Sequence, residues 1–214
     1  MGRAQDVFVD GRTVPAFDGG AALVHVGHIG RIRVTSGKLG ACDPIVGSRD
    51  AWPLGRSVPP GEYPVDVAVL ELASGERRVG LARIQLAERE PVVWENAAPE
   101  GARLIDLKPG EAFGYGVDAG IGCFADVAAL RAFDGYGEDA SHELTEALGE
   151  TYEPTWSWAD ITCGDAGENV IVFSSGIGEG FYVSYWGFAE DGTLVCLVTD
   201  FGLCEVDWSC SRGR

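Results

Sequence analysis

Two stretches of this chain carry the alternation and β-branched content of strands on either side of a short turn, and they limit what the whole can fold into. Residues 63–72 (YPVDVAVLEL) and 78–86 (RVGLARIQL) flank Ala73-Ser74-Gly75-Glu76-Arg77, a Gly-containing connection of hairpin length. Pro64 stands at the strand entrance, where a missing N–H costs least. Residues 181–188 (FYVSYWGF) and 193–199 (TLVCLVT) are joined by Ala189-Glu190-Asp191-Gly192 and are too rich in aromatic and β-branched side chains for a helix. Further strands are expected at 22–26, 30–34, 92–94 and 169–174. Helical signal is confined to the middle: 126–133 (DVAALRAF), with Asp126 placed as its N-cap, and 141–148, with Gly149 as its stop. Residues 154–168 read as loop. The expectation is an α+β fold, a mainly antiparallel sheet core with two short helices in the middle of the chain. With 214 residues and no convincing linker, residues 1–214 are expected to form one domain.

Charge narrows the choice of partners. Residues 1–108 hold 13 Lys and Arg against 14 Asp and Glu, whereas residues 109–214 hold only Arg131, Arg212 and Arg214 against 19 acids. Nearly all of the net charge of −17 therefore belongs to the second half. Such a field repels nucleic-acid phosphates and anionic lipid heads and attracts cations, basic peptides or basic proteins. It also serves simply to keep a protein soluble. No apolar run is long enough for a membrane span, and the first residues lack the apolar core of a secretory signal. The expected location is cytoplasmic. Six cysteines, at 42, 123, 163, 196, 204 and 210, form no CxxC pair, so reduced thiols are expected rather than a disulfide framework or zinc knuckles.

Three Gly- and Asp-rich segments could carry chemistry. In Ser36-Gly37-Lys38-Leu39-Gly40-Ala41-Cys42-Asp43-Pro44, Asp43 before Pro44 reads best as a turn former. Residues 114–126 (GYGVDAGIGCFAD) read as a strand end at Asp118, a Gly-rich turn, and a helix start near Asp126. Backbone N–H groups beside Cys123 would lower its thiol pKa; the alternative is a small buried core cysteine with a capping Asp. The third segment, Ser174 to Tyr182 (SSGIGEGFY), surrounds Glu179 with glycines and leads through the second hairpin to Asp200. Its pattern is neither a G-x-S-x-G hydrolase elbow nor, with D-F-G at Asp200, part of a kinase signature set.

The run V-D-A-G-x-G-C-F-A-D at 117–126, the string S-G-x-G-E-G-F-Y at 175–182 and T-D-F at 199–201 resemble the bacterial DUF4241 family. The S-G-K-L-G-A-C-D-P segment and G-E-Y-P-V at 61–65 fit its opening half, so the resemblance spans roughly residues 20 to 203. The family pattern has Trp where this chain has Ile177 and Asp where it has Glu179, which keeps the carboxylate but lengthens it. The resemblance implies a motif set and no mechanism.

Two functions follow from the residues. In the first, the Gly/Asp-rich loops at 118–126 and 174–182 wall one pocket for a small molecule or peptide. Cys123 would act as nucleophile, or Asp118 and Glu179 as an acid–base pair; Asp126, Gly176, Gly178, Tyr182 and Asp200 would bind. Asp118, Asp126, Glu179 and Asp200 are oxygen donors of the kind that suit Ca²⁺ or Mg²⁺, and Trp156, Trp158, Tyr182, Tyr185 and Trp186 could line an aromatic pocket for a cationic ligand. His25, His28 and His142 read as satisfied or surface histidines, with His25 or His28 the alternative partner of Cys123 in a Cys–His pair. In the second function, the chain is an acidic binding or immunity-type protein that covers a basic partner.

Overall fold

The computed structural model describes residues 2–46, 53–133, 138–164 and 166–208; Cys210, Arg212 and Arg214 lie outside them. In chain order the strands are β1 (Gly2–Arg3), β2 (Thr13–Pro15), β3 (Ala21–Val34), β4 (Leu39–Cys42), β5 (Gly61–Glu71), β6 (Arg77–Gln85), β7 (Val93–Asn96), β8 (Gly114–Val117) and β9 (Ile121–Asp126). Two helices follow, α1 (Val127–Ala132) and α2 (Glu138–Glu150), and then β10 (Trp158–Thr162), β11 (Asn169–Ser174), β12 (Gly180–Phe188), β13 (Leu194–Asp200) and β14 (Val206–Asp207).

The expected α+β balance is corrected to a mostly antiparallel β protein. The six residues of α1 make less than two turns, and among the described residues only α2 is longer. Three stretches read as loop or turn are strands instead: 39–42, 121–126 and 158–162. For 121–126 the cause is burial on both faces within a Gly-rich segment, whereas 158–162 does alternate buried and exposed residues but over only five positions. All six residues of β9 are buried, so the strand shows no polar alternation to betray it. Gly122 belongs to that strand because a Cβ there would lie 2.9 Å from the Tyr115 hydroxyl and 3.3 Å from the Phe173 ring.

Both hairpins pair as expected, within an eight-stranded sheet whose main path is β2-β3-β5-β6-β13-β12-β7, with β8 also on β12. A second sheet runs β10-β11-β9-β4, and every pair in both is antiparallel. The expected strands at 22–26 and 30–34 are one strand, β3, with a bulge between His28 and Gly30. Before the bulge, Ala22 and Val24 pack on one face of the large sheet; after it, Ile32 and Val34 pack on the other. Asn169 of β11 fastens the second sheet to β3, accepting from Arg33 N–H at 2.9 Å and donating to the Arg31 carbonyl at 2.9 Å.

The main core lies between the sheets, where Ile32, Val67, Ile84 and Trp186 meet Phe124, Ile171 and Phe173. Leu130 and Phe133 with Leu144 of α2 cover the outer face of the smaller sheet, over Ala125, Val170 and Val172. The outer face of the larger sheet is covered by Ala4 and Val7 from the N-terminus and by Leu203 and Cys204. No helix among the described residues is long and apolar enough to cross a membrane.

Candidate functional site

The two Gly-rich segments do come side by side. The turn 118–120 joins β8 to β9, and the segment 175–179 joins β11 to β12, strands that already pair with β9 and β8. Ser175 N–H donates to the Gly120 carbonyl at 3.1 Å, and Gly178 Cα lies 3.8 Å from where a Gly120 Cβ would sit. Gly178, at φ 121°, occupies backbone space that only glycine takes without strain. Its carbonyl accepts from Ser175 Oγ and from the Tyr182 hydroxyl, each at 2.9 Å. Gly176 N–H donates to the Val79 carbonyl, and Arg78 Nη1 donates back to the Gly176 carbonyl at 3.2 Å. Tyr182 is thus a buried pin beneath the loop, and burial raises its phenol above the ordinary range.

The carboxylates of this end divide sharply. Asp126 is fully buried: Oδ1 accepts from Ala128 N–H at 2.6 Å, capping α1, and Oδ2 accepts from Thr35 and Ser36 N–H, each at 2.8 Å. Asp43 is equally buried. Its Oδ1 accepts from Ile45 and Val46 N–H at 2.8 and 3.1 Å, and its Oδ2 from Asp118 and Ala119 N–H at 3.0 and 2.9 Å. Asp200 accepts from Gly202 N–H at 2.8 Å and from Trp208 Nε1–H at 2.7 Å; burial pushes its carboxyl up, against those two bonds. The side chains of Asp118 and Glu179, in contrast, are exposed and have no ion pair or hydrogen bond among the described residues. No three His, Cys, Asp or Glu among the described residues form a group that could hold a metal ion, because Asp126 and Asp200 face backbone and indole N–H groups instead of Asp118 and Glu179.

Cys123 is not placed as an activated thiol. It lies fully buried in the middle of β9, directly opposite Cys42 of β4, with the sulfurs 3.6 Å apart. Burial pushes its thiol well up, where the expected Gly-rich turn would have lowered it. The five described cysteines are free thiols. The histidines meet carboxylates and no thiol: His25 meets Glu71 at 3.0 Å, His28 meets Asp66 at 3.1 Å and His142 meets Glu146 at 3.3 Å. Of the aromatic group, Trp186 and Tyr182 are core, Tyr185 stacks on Trp208 at 4.3 Å, and Trp158 is half-buried against the core. Trp156 lines an open cleft, of about 420 Å³, between the β5–β6 turn and residues 153–156.

Sequence reasoning missed two features of this end. One is Asp43, read as punctuation, which ties β4 to the 118–120 turn; an Asp-Pro pair gives no sign of a partner 75 residues away. The other is the exposure of Ile177 (64%) and Phe181 (61%) among the glycines and acids. The departure from the family's Trp at position 177 was the available hint.

Charges follow the same division between the halves. The first half pairs many of its own charges, Lys38 with Glu100, Arg56 with Glu95, Arg77 with Glu71 and Arg78 with Glu76, while Arg89 reaches across to Asp191. In the second half the exposed Glu143, Glu150, Glu153 and Glu190, like Asp118 and Glu179, have no ion-pair partner among the described residues.

A family model described as "Protein of unknown function (DUF4241)" matches residues 32–199, most of the chain, and the chain belongs to that family. No curated protein and no solved structure matches it.

Proposed function

With membership of DUF4241 as the premise, we propose that the protein works by binding: it presents an acidic, partly apolar end to a basic protein or peptide. The observation that carries this reading is the pairing of exposed Asp118 and Glu179, without partners among the described residues, with exposed Ile177 and Phe181 on two adjoining loops and the start of β12. Apolar side chains beside unneutralised acids are what a basic partner with an apolar anchor would meet. Thiol chemistry receives less support here, because Cys123 is packed as a core side chain, and of the expected binding residues Asp126 is engaged by three backbone N–H groups.

A peptide of alternating Arg and Leu, with its Glu–Leu counterpart as control, tests the proposal by fluorescence anisotropy. The Arg–Leu peptide should bind, weaken steeply as salt is raised, and lose about fivefold or more in Asp118→Asn/Glu179→Gln and again in Phe181→Ala. Equal binding of both peptides, or binding unchanged in both variants, would refute it.

A further inference from the structure

A second cavity lies away from that end, on the outer face of the eight-stranded sheet, where the N-terminal segment 4–9 roofs β6, β7 and β13. It holds about 320 Å³, within the range of small-molecule sites. Phe8, Pro91 and Trp94 form its apolar walls, Cys196 lies among its buried lining, and Arg83 is one of four charged residues there, with Asp6, Arg89 and Glu90.

Arg83 is unusual for its surroundings. It projects from β6 into a face otherwise filled by Leu81, Ala68 and Val198, and its side chain is 21% exposed. A guanidinium taken this far from water needs partners for its five N–H donors. Among the described residues only Nη2 finds an acceptor, Asp66 Oδ2 at 2.7 Å on the neighbouring strand, while Asp66 also engages His28 through Oδ1 at 3.1 Å. The Phe8 ring covers the guanidinium at 4.2 Å from Cζ, and Nε is buried with no partner among the described residues. Asp66 therefore orients the fork without saturating it. The fork lies over an aromatic ring in a cavity with apolar walls.

The rest of the charged lining is mixed. Arg89 donates to Asp191 at 2.5 Å, and Asp6, its side chain only 16% exposed, meets Arg12 at 3.5 Å, with Glu90 also in the lining. These acids disfavour a polyanion such as a nucleotide or a phosphorylated sugar, and leave a single negative charge as the group Arg83 can accept.

We propose that this cavity binds a small monocarboxylate with an aromatic or bulky apolar body, the carboxylate on Arg83 and the body between Phe8, Pro91 and Trp94. Carboxylate and guanidinium match as two parallel hydrogen bonds, and the planar walls suit a ring. The site is separate from the acidic end, so the two proposals stand or fall independently.

Calorimetric titration of the full chain with indole-3-acetate, beside its neutral isostere indole-3-acetamide, tests it. The acetate should bind about tenfold or more tightly than the amide, the size expected of charge-assisted hydrogen bonds. Arg83→Gln should abolish that preference. Because this variant leaves Asp66 without its cation, Phe8→Ala serves as a second one: it keeps the Arg83–Asp66 pair, opens the roof, and should weaken the acetate about fivefold. The proposal is overturned if acetate and amide bind alike, if neither binds up to about 10 mM, or if both variants bind the acetate as the parent does.

Discussion

Asp43 and Asp126 on one side, and Asp118 and Glu179 on the other, belong to the same cluster of loops and to the same Gly-rich motifs, yet they do different work. Asp43 and Asp126 are fully buried, and their oxygens take four and three backbone N–H groups. They hold β4, the 118–120 turn and the start of α1 in register. Asp118 and Glu179 stand in water with no partner among the described residues. The lesson is that an acid among glycines has two fates. Where the backbone curls round the carboxylate, its hydrogen-bonding capacity is already taken up; where the backbone only lends the turn, the charge remains available to a partner.

The largest effect that would sharpen this contrast is expected at Asp43. Asp43→Ala leaves four N–H groups without their acceptor and should lower unfolding free energy by about 3 kcal/mol or more, read from urea denaturation. A loss below about 1 kcal/mol would mean that water replaces the carboxylate and that the interior acids are not structural.

The glycines of β8 offer the same contrast between inside and rim. A Cβ on Gly114 would lie 2.3 Å from the Tyr182 carbonyl oxygen, whereas Gly116 has nothing within 4 Å. Gly114→Ala should destabilise by about 2 kcal/mol, and Gly116→Ala should be neutral or stabilise by about 0.5 kcal/mol, both measured by thermal melting. Equal effects would break the distinction.

A third test uses pH on the interior thiols. Burial pushes Cys196 and Cys204 up to about 12, and Cys123 well up also. A thiol whose folded pKa is raised stabilises the fold fully below its unfolded pKa, and that contribution is lost as pH rises through the folded value. Stability should therefore fall progressively from about pH 9 toward 12. Cys163, half-buried and raised only to about 11, should be the first of the five described thiols to react with iodoacetamide in the native protein. Melting temperatures flat across that range, or a fast-reacting Cys123, would contradict the packing described.

Much of this was legible in the sequence where strands are dominated by β-branched and aromatic side chains. The two hairpins and β11, itself buried on both faces, showed themselves that way, and the capping role of Asp126 through its place before an apolar run. What could not be read were buried strands that lie within Gly-rich segments. β9 and β4 carry glycine because a partner approaches closely; at Gly40 a Cβ would meet Leu130 at 2.4 Å. In sequence such glycines look like turns, and that mistake placed Cys123 on a loop and favoured catalysis. The 13-residue helix α2 continues through Gly149, which was expected to end it and which has open space around its Cβ position.

The smallest structural effect is expected at the rim. Asp118→Asn should change unfolding free energy by no more than about 0.5 kcal/mol while weakening a cationic peptide, a separation of stability from binding that no interior acid should show. Anisotropy and urea denaturation on the same preparation would report both.

The division between the two kinds of acid is tested most directly by the difference in unfolding free energy between Asp126→Ala and Glu179→Ala, measured by urea denaturation in one buffer. Asp126→Ala removes a helix cap and the acceptor for Thr35 and Ser36 N–H; Glu179→Ala removes an exposed side chain with no hydrogen bond or ion pair among the described residues. The predicted result is a gap of about 2 kcal/mol or more, with Asp126→Ala the less stable. Equal stabilities, or a larger loss from Glu179→Ala, would contradict it.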